Sequence, residues 1–226
     1  MECGGRYRYE ATTVEGFVQQ LAVSYIKNRY WFYVLGEVPP DKEPQQVDEK
    51  LIVRYGIEQS KWAKARASRK GLAKLQYLRY RSTFLLLATH GEHPFYDAEV
   101  NNIRDARESP VRFYGYSVGY KDGHPVVRIA TPQYRALAEV FLGSALTASA
   151  DVLAARFRGL PFEPYGPVKV QLRRLLVRVN ELRRAAGLPR VDRECLRTKR
   201  ETMRPFCESE RERPTGRVIP FGWDSV

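Results

Sequence analysis

His90 and His93 stand three residues apart in the segment HGEH, which follows the apolar run FLLLA after a single threonine, in a chain that has three histidines in all. Two imidazoles at that spacing can meet one ion in a turn or short helix. Glu92, Asp97 and Glu99 lie close enough in sequence to add a carboxylate ligand or a general base. The chemistry such a kit would support is metal-assisted hydrolysis, with a divalent metal as the cofactor and His90 and His93 as its ligands. Simpler local chemistry competes with it. Gly91 can bend the chain, Pro94 restricts His93 to extended backbone, and imidazoles make hydrogen bonds within such a turn.

Single-strand nucleases and rolling-circle initiators of the HUH class place two histidines on a strand with one apolar residue between them and a tyrosine nucleophile on a helix. HGEH has two intervening residues, so no family residue carries over. Tyr134, on an expected helix, is the tyrosine such chemistry would use. The catalytic candidates are therefore His90, Glu92, His93, Asp97 and Tyr134.

A second chemistry is visible in the charge. The 226 residues carry 38 Lys and Arg against 26 Asp and Glu, a net charge of +12, with a pI near 9.7. A surplus of that size concerns partners more than fold, and polyanions are the partners it favours. Pro167 to Val226 holds fifteen basic residues against eight acidic ones, and all of the fifteen except Lys169 and Lys199 are arginine. Arginine's planar fork suits phosphate. Within that region Val168, Leu172, Leu175, Leu176, Val179 and Leu182 predict one apolar helix stripe. Lys169, Arg173, Arg174, Arg178, Arg183 and Arg184 are then assigned to the other faces, with Glu181 the single acid among them.

The segment KWAKARASRK is the other basic cluster. Lys61, Lys64, Arg66, Arg69 and Lys70 surround Trp62 with no acidic residue, a composition that grips single-stranded nucleic acid by charge and base stacking. Its competing reading is a surface segment whose tryptophan anchors in the core. Tyr77, Tyr80, Tyr114, Tyr116 and Tyr120 offer a further stacking platform if their strands leave a face open.

The elements that must position these residues follow from periodicity. Thr12 and Glu15 have capping-box spacing ahead of Val14, Phe17, Val18, Leu21 and Tyr25. Tyr30 to Val38 reads as a strand, and Pro44 opens a short helix that Gly56 stops. LAKLQYLRY and FLLLATH predict two strands, the second apolar on both faces. Asp122-Gly123 predicts a hairpin, and Thr131-Pro132 opens a helix, followed by another near Ala148 to Arg158.

The expected architecture is α+β: a mainly antiparallel sheet of about five strands with packed helices over residues 1–130, a helical portion over 131–187, and a basic extended tail over 188–226. Cys3, Cys195 and Cys207 form no CxxC pair, which argues against a disulfide framework. No run approaches the length of a membrane span. These features predict a cytoplasmic protein with no membrane partner.

The primary expectation is a nucleic-acid-binding protein, for DNA or RNA, that grips the phosphate backbone without reading sequence. The rival expectations are a metal-dependent nuclease or strand-transfer enzyme centred on HGEH, and an interaction subunit of a larger nucleoprotein complex.

Overall fold

The computed structural model describes residues 7–207, the side chain of Lys61 excepted. It is an α+β protein with two antiparallel sheets. The chain folds into two compact units. One contains the chain up to Val111, Val118–Pro125 and the segment beginning at Met203; the other contains Arg112–Ser117 and Val126–Thr202.

The first unit opens with Val14–Gln19 (α1), continued by a wider turn over Gln20–Tyr25 and a tight one over Ile26–Asn28. The cap lies one residue later than the Thr12 spacing predicts. Thr13 accepts from the Gly16 N–H, whereas the Thr12 hydroxyl reaches the Cys207 carbonyl. Strand Phe32–Glu37 (β1) is followed by helices Pro44–Arg54 (α2) and Lys61–Arg69 (α3). Strands Leu75–Tyr80 (β2) and Thr83–Ala88 (β3), short helix Pro94–Ala98 (α4) and two-residue strand Arg104–Asp105 (β4) come next. The sheet order is β2-β3-β1-β4. The fully apolar β3 is an inner strand, as burial on both faces requires, and its register on β1 sets Val34 opposite Leu86 and Gly36 opposite Phe84. The Phe84 ring packs directly over Gly36, where a Cβ would require the ring to shift.

One face of this sheet forms a core of Val34, Leu75, Tyr77, Leu86 and Ala88 with Ile52 and Tyr55 from α2 and its end, and Phe95 from α4. Inside it lies an unexpected charge. Asp48 on α2 is fully buried, accepts from Tyr77 Oη at 2.5 Å, and receives Arg79 Nε at 2.9 Å. Arg79 Nη2 is 3.1 Å from Glu10, and Nη1 donates to the Arg81 carbonyl. The N-terminal segment meanwhile covers the free edge of β2. Tyr7 Oη accepts from the Tyr77 N–H, and the Ala11 N–H donates to the Arg79 carbonyl. Edges left bare invite pairing with other chains.

The chain passes from one unit to the other within a three-stranded sheet of order β5-β6-β7: Val111–Phe113 (β5), Tyr116–Lys121 (β6) and His124–Ile129 (β7). Among the described residues the strands thus number seven in two sheets, where periodicity led us to expect about five in one. The very short β4 and β5 carry too few residues to show alternation.

The second unit is mainly helical: Thr131–Gly143 (α5), Ala150–Arg158 (α6) and Gly166–Ala185 (α7). α5 and α7 pack together, and the Gln171 side chain on α7 exchanges hydrogen bonds with both backbone groups of Ile129. The stretch after Leu188, expected to trail away from the fold, is instead packed. Val191 and Cys195 are buried, Asn180 bonds both the N–H and carbonyl of Val191, and Arg193–Cys195 forms a tight helical turn. The rest of the expected tail, 208–226, lies outside the described residues. Among the described residues no helix is long and apolar enough to cross a membrane.

Candidate nucleic-acid interface

α7 carries the arginines because its repeat is strongly amphipathic, but the division of faces differs from the expected one. The buried stripe runs Val168, Leu172, Leu175, Leu176, Val179 and then Arg183, while Leu182 is 42% exposed. Arg183 is only 2% exposed, so it leaves the phosphate-facing set. Its Nη1 donates to the carbonyls of Ala145 and Ala148 at 2.7 Å, and its Nε donates to that of Pro189 at 2.6 Å. It serves as an internal clamp that ties the end of α7 to the Ala145–Ala148 segment and to Pro189.

The remaining cations lie on two sides of that stripe. At about 100° per residue, Lys169, Arg173 and Arg184 fall on one side and Arg174 and Arg178 on the other. None of these five forms an ion pair with a described acidic residue, and all but half-buried Lys169 are exposed. Lys169 and Arg173 line a pocket of about 450 Å³, completed by Arg193 and Arg197 with Leu172 and Leu196. Arg193 and Arg197 were not among the sequence candidates, because they lie in the stretch expected to be an extended tail. Arg197 is held in place by Glu163, itself 2% exposed, at 2.9 Å. Tyr116 Oη accepts from the Glu163 N–H and so fixes that acid's backbone.

In the first unit α3 is a true helix, capped by the Ser60 hydroxyl on the Ala63 N–H. Trp62 is 81% exposed, which overturns the alternative of a tryptophan anchored in the core. Arg66, Arg69 and Lys70 are exposed beside it, and half-buried Lys64 lies 5.7 Å over the Tyr7 ring. Burial and nearby Lys74 lower the Lys64 ammonium below the ordinary lysine range. The tyrosine platform is only partly open: Tyr77 and Tyr116 are buried, while Tyr80, Tyr114 and Tyr120 are half-buried.

The HGEH segment is a turn built by backbone constraints. Gly91 has φ +139°, and a Cβ there would lie 2.5 Å from the Ala73 nitrogen. The Glu92 N–H donates to the Gly71 carbonyl, and the Glu92 carbonyl accepts from the Ala73 N–H, each at 3.0 Å. His93 is the N-cap of α4: its Nδ1 accepts from the Phe95 N–H at 3.0 Å, and the Tyr55 backbone lies near enough to favour its protonated form. His90 is exposed, with its ring 6.4 Å from that of Phe32, and Asp97 is exposed in the first turn of α4. Glu99 accepts from Tyr55 Oη at 2.6 Å. Burial and that carboxylate push the tyrosine up to about 12. Tyr134 belongs to the other unit, where its hydroxyl donates to the Gln171 carbonyl at 3.2 Å. Among the described residues no three His, Cys, Asp or Glu side chains converge in a way that could hold a metal ion. Within HGEH the cap uses His93 Nδ1, and Glu92 pairs with the Leu72 segment through its backbone.

Burial lowers His93 below the ordinary imidazole range, with its Tyr55 contact only partly opposing this. The unfolded chain therefore takes up the proton first as pH falls. The cap's contribution is complete above an unfolded pKa of about 6.5 and declines as pH drops from there through the folded value. His93→Ala is expected to lose about 1 kcal/mol at pH 7.5. His93→Asn, which keeps a capping acceptor, should lose little and should flatten the stability profile between pH 7.5 and about 5.5. Urea unfolding at both pH values checks this; equal profiles for wild type and His93→Asn would refute the cap's titration.

No family model matches the chain, and no curated protein sequence does.

Proposed function

We propose that this protein binds nucleic acid without reading sequence, through α3 in one unit and α7 in the other. The observation that carries the proposal is Trp62, a large aromatic bare to solvent on a helix whose charged residues are all basic. An indole so placed forgoes most of the stabilisation that burial would give it. Its ring is available to stack on an unpaired base while Arg66, Arg69 and Lys70 meet the adjoining phosphates. α7 supports the same reading with Arg173, Arg174, Arg178 and Arg184, cations exposed along about three turns without described acidic partners. Neither helix belongs to a motif that places side chains on base edges, so recognition rests on charge, stacking and shape.

The test is binding of labelled single-stranded and duplex DNA and RNA over a salt series. Affinity should fall steeply with salt, with a log–log slope that becomes shallower by about 1 for each phosphate contact removed by an Arg→Ala change in α7. Trp62→Ala should weaken single-strand binding by about 1–3 kcal/mol and affect duplex binding less. Absence of binding at physiological salt would refute the reading and move the basic surfaces to a protein partner.

A further inference from the structure

We infer that the pocket beside α7 accepts a terminal phosphate monoester carried on a nucleotide-sized body, rather than an internal phosphate of a strand. The inference rests on the nucleic-acid reading for its choice of ligand, and on four features of the pocket for its chemistry.

The first is concavity. A helix that merely tracked a phosphate backbone would need a ridge or open groove, whereas Lys169 and Arg173 line a pocket of about 450 Å³. Pockets of roughly 300–1,000 Å³ hold small organic molecules, so there is room for one nucleotide as well as its phosphate.

The second is charge. Lys169, Arg173, Arg193 and Arg197 line the pocket; Glu194 lines it too, and Glu163 pairs with Arg197. Four cations less two carboxylates leaves +2, which matches a monoester carrying about −1.5 to −2 at pH 7 better than a singly charged internal diester.

The third is preorganisation. Arg197 Nη2 is held 2.9 Å from the buried carboxylate of Glu163. Nη1 of the same fork is buried and has no acceptor among the described residues. A buried N–H without an acceptor is unfavourable, and an anion at this guanidinium would offset that. Arginine forks bind phosphate oxygens in pairs.

The fourth is the apolar part of the lining. Leu172 and Leu196 give a sugar or base edge something to pack on, which a free inorganic ion does not need.

The experiment uses the full chain and short single-stranded oligonucleotides of one sequence bearing a 5′-phosphate, a 3′-phosphate or hydroxyls at both ends, with a nucleoside monophosphate as competitor. The variant is Lys169→Ala combined with Arg193→Ala. Arg197→Ala is avoided because it would leave Glu163 buried without its cation and risk the fold. Arg178→Ala, on the other side of α7, is the comparison.

At least one phosphorylated end should bind about tenfold or more tighter than the hydroxyl form. The paired pocket variant should abolish that preference, while Arg178→Ala should weaken all three oligonucleotides alike. Equal binding of all three by the wild type would overturn the inference and leave the nucleic-acid reading intact. A preference that survives in the pocket variant would also overturn it. If no oligonucleotide binds but the monophosphate does, and the pocket variant loses it, the pocket stands as a nucleotide site and the nucleic-acid reading fails. If neither binds, both fail.

Discussion

Asp48→Ala is expected to destabilise the first unit by about 3–5 kcal/mol, the range for removing one partner of a buried ion pair. The pair is closely partnered except at Arg79 Nη2, which lies 3.1 Å from Glu10 but makes no hydrogen bond among the described residues. Asp48 receives Tyr77 Oη and Arg79 Nε, and the guanidinium continues to Glu10 and to the Arg81 carbonyl. Burial raises the Asp48 carboxyl above the ordinary carboxylate range, with Tyr77 and Arg79 opposing this only in part. Without the carboxylate, Arg79 keeps a desolvated charge and Tyr77 loses the acceptor for a fully buried hydroxyl. Asp48→Asn preserves the shape and one acceptor but removes the charge, so its loss should be smaller though still above about 1 kcal/mol. Urea unfolding followed by tryptophan fluorescence measures both. A loss below about 1 kcal/mol for Asp48→Ala would mean that the pair contributes nothing net. The double change Asp48→Leu with Arg79→Met should recover much of the single variant's loss, because an apolar pair avoids both desolvation penalties.

The second large effect separates two arginines that the sequence presents alike. Arg183→Ala should destabilise the second unit by about 3–5 kcal/mol, as it leaves the carbonyls of Ala145, Ala148 and Pro189 without their donor and opens a void under the end of α7. Arg178→Ala, at an exposed position, should stay within about 0.5 kcal/mol of wild type and lower nucleic-acid affinity instead. Lysine at 183 should not rescue, because one ammonium cannot reproduce a fork that reaches three carbonyls in fixed directions. If Arg183→Ala folds with unchanged midpoint and loses binding, Arg183 belongs to the interface after all.

Both residues show why charge was harder to place than apolar sequence. Asp48 falls on the stripe of its own helix, with Leu51, Ile52 and Tyr55 three, four and seven residues later. Arg79 continues the inward alternation of Leu75 and Tyr77, and Arg183 follows Val179 by four. In each case the 3.6- or 2-residue period pointed inward while the residue type argued outward. For Arg183, residue type prevailed in our reading because buried charges are rare. Only partners distant in sequence could reverse it: Asp48 and Arg79 are 31 residues apart, and Arg183 and Ala145 are 38 apart. In HGEH the histidine chemistry and the bend at Gly91 were both legible, but the backbone bridge between Leu72 and Glu92 was not, because the bridging segment comes about twenty residues earlier.

By itself the sequence determined the α+β class, the principal helices and the hairpin, the inner position of β3 and the basic balance of the chain. Those features follow from local period, turn chemistry and composition, which act over a few residues and do not depend on what the chain later meets. The tertiary structure decided which arginines are free and which are internal clamps, that Trp62 stands in solvent, and that Arg193 and Arg197 join α7 in one pocket. These are outcomes of burial, and burial is set by distant segments packing together, a property of the folded chain that no short window of sequence contains.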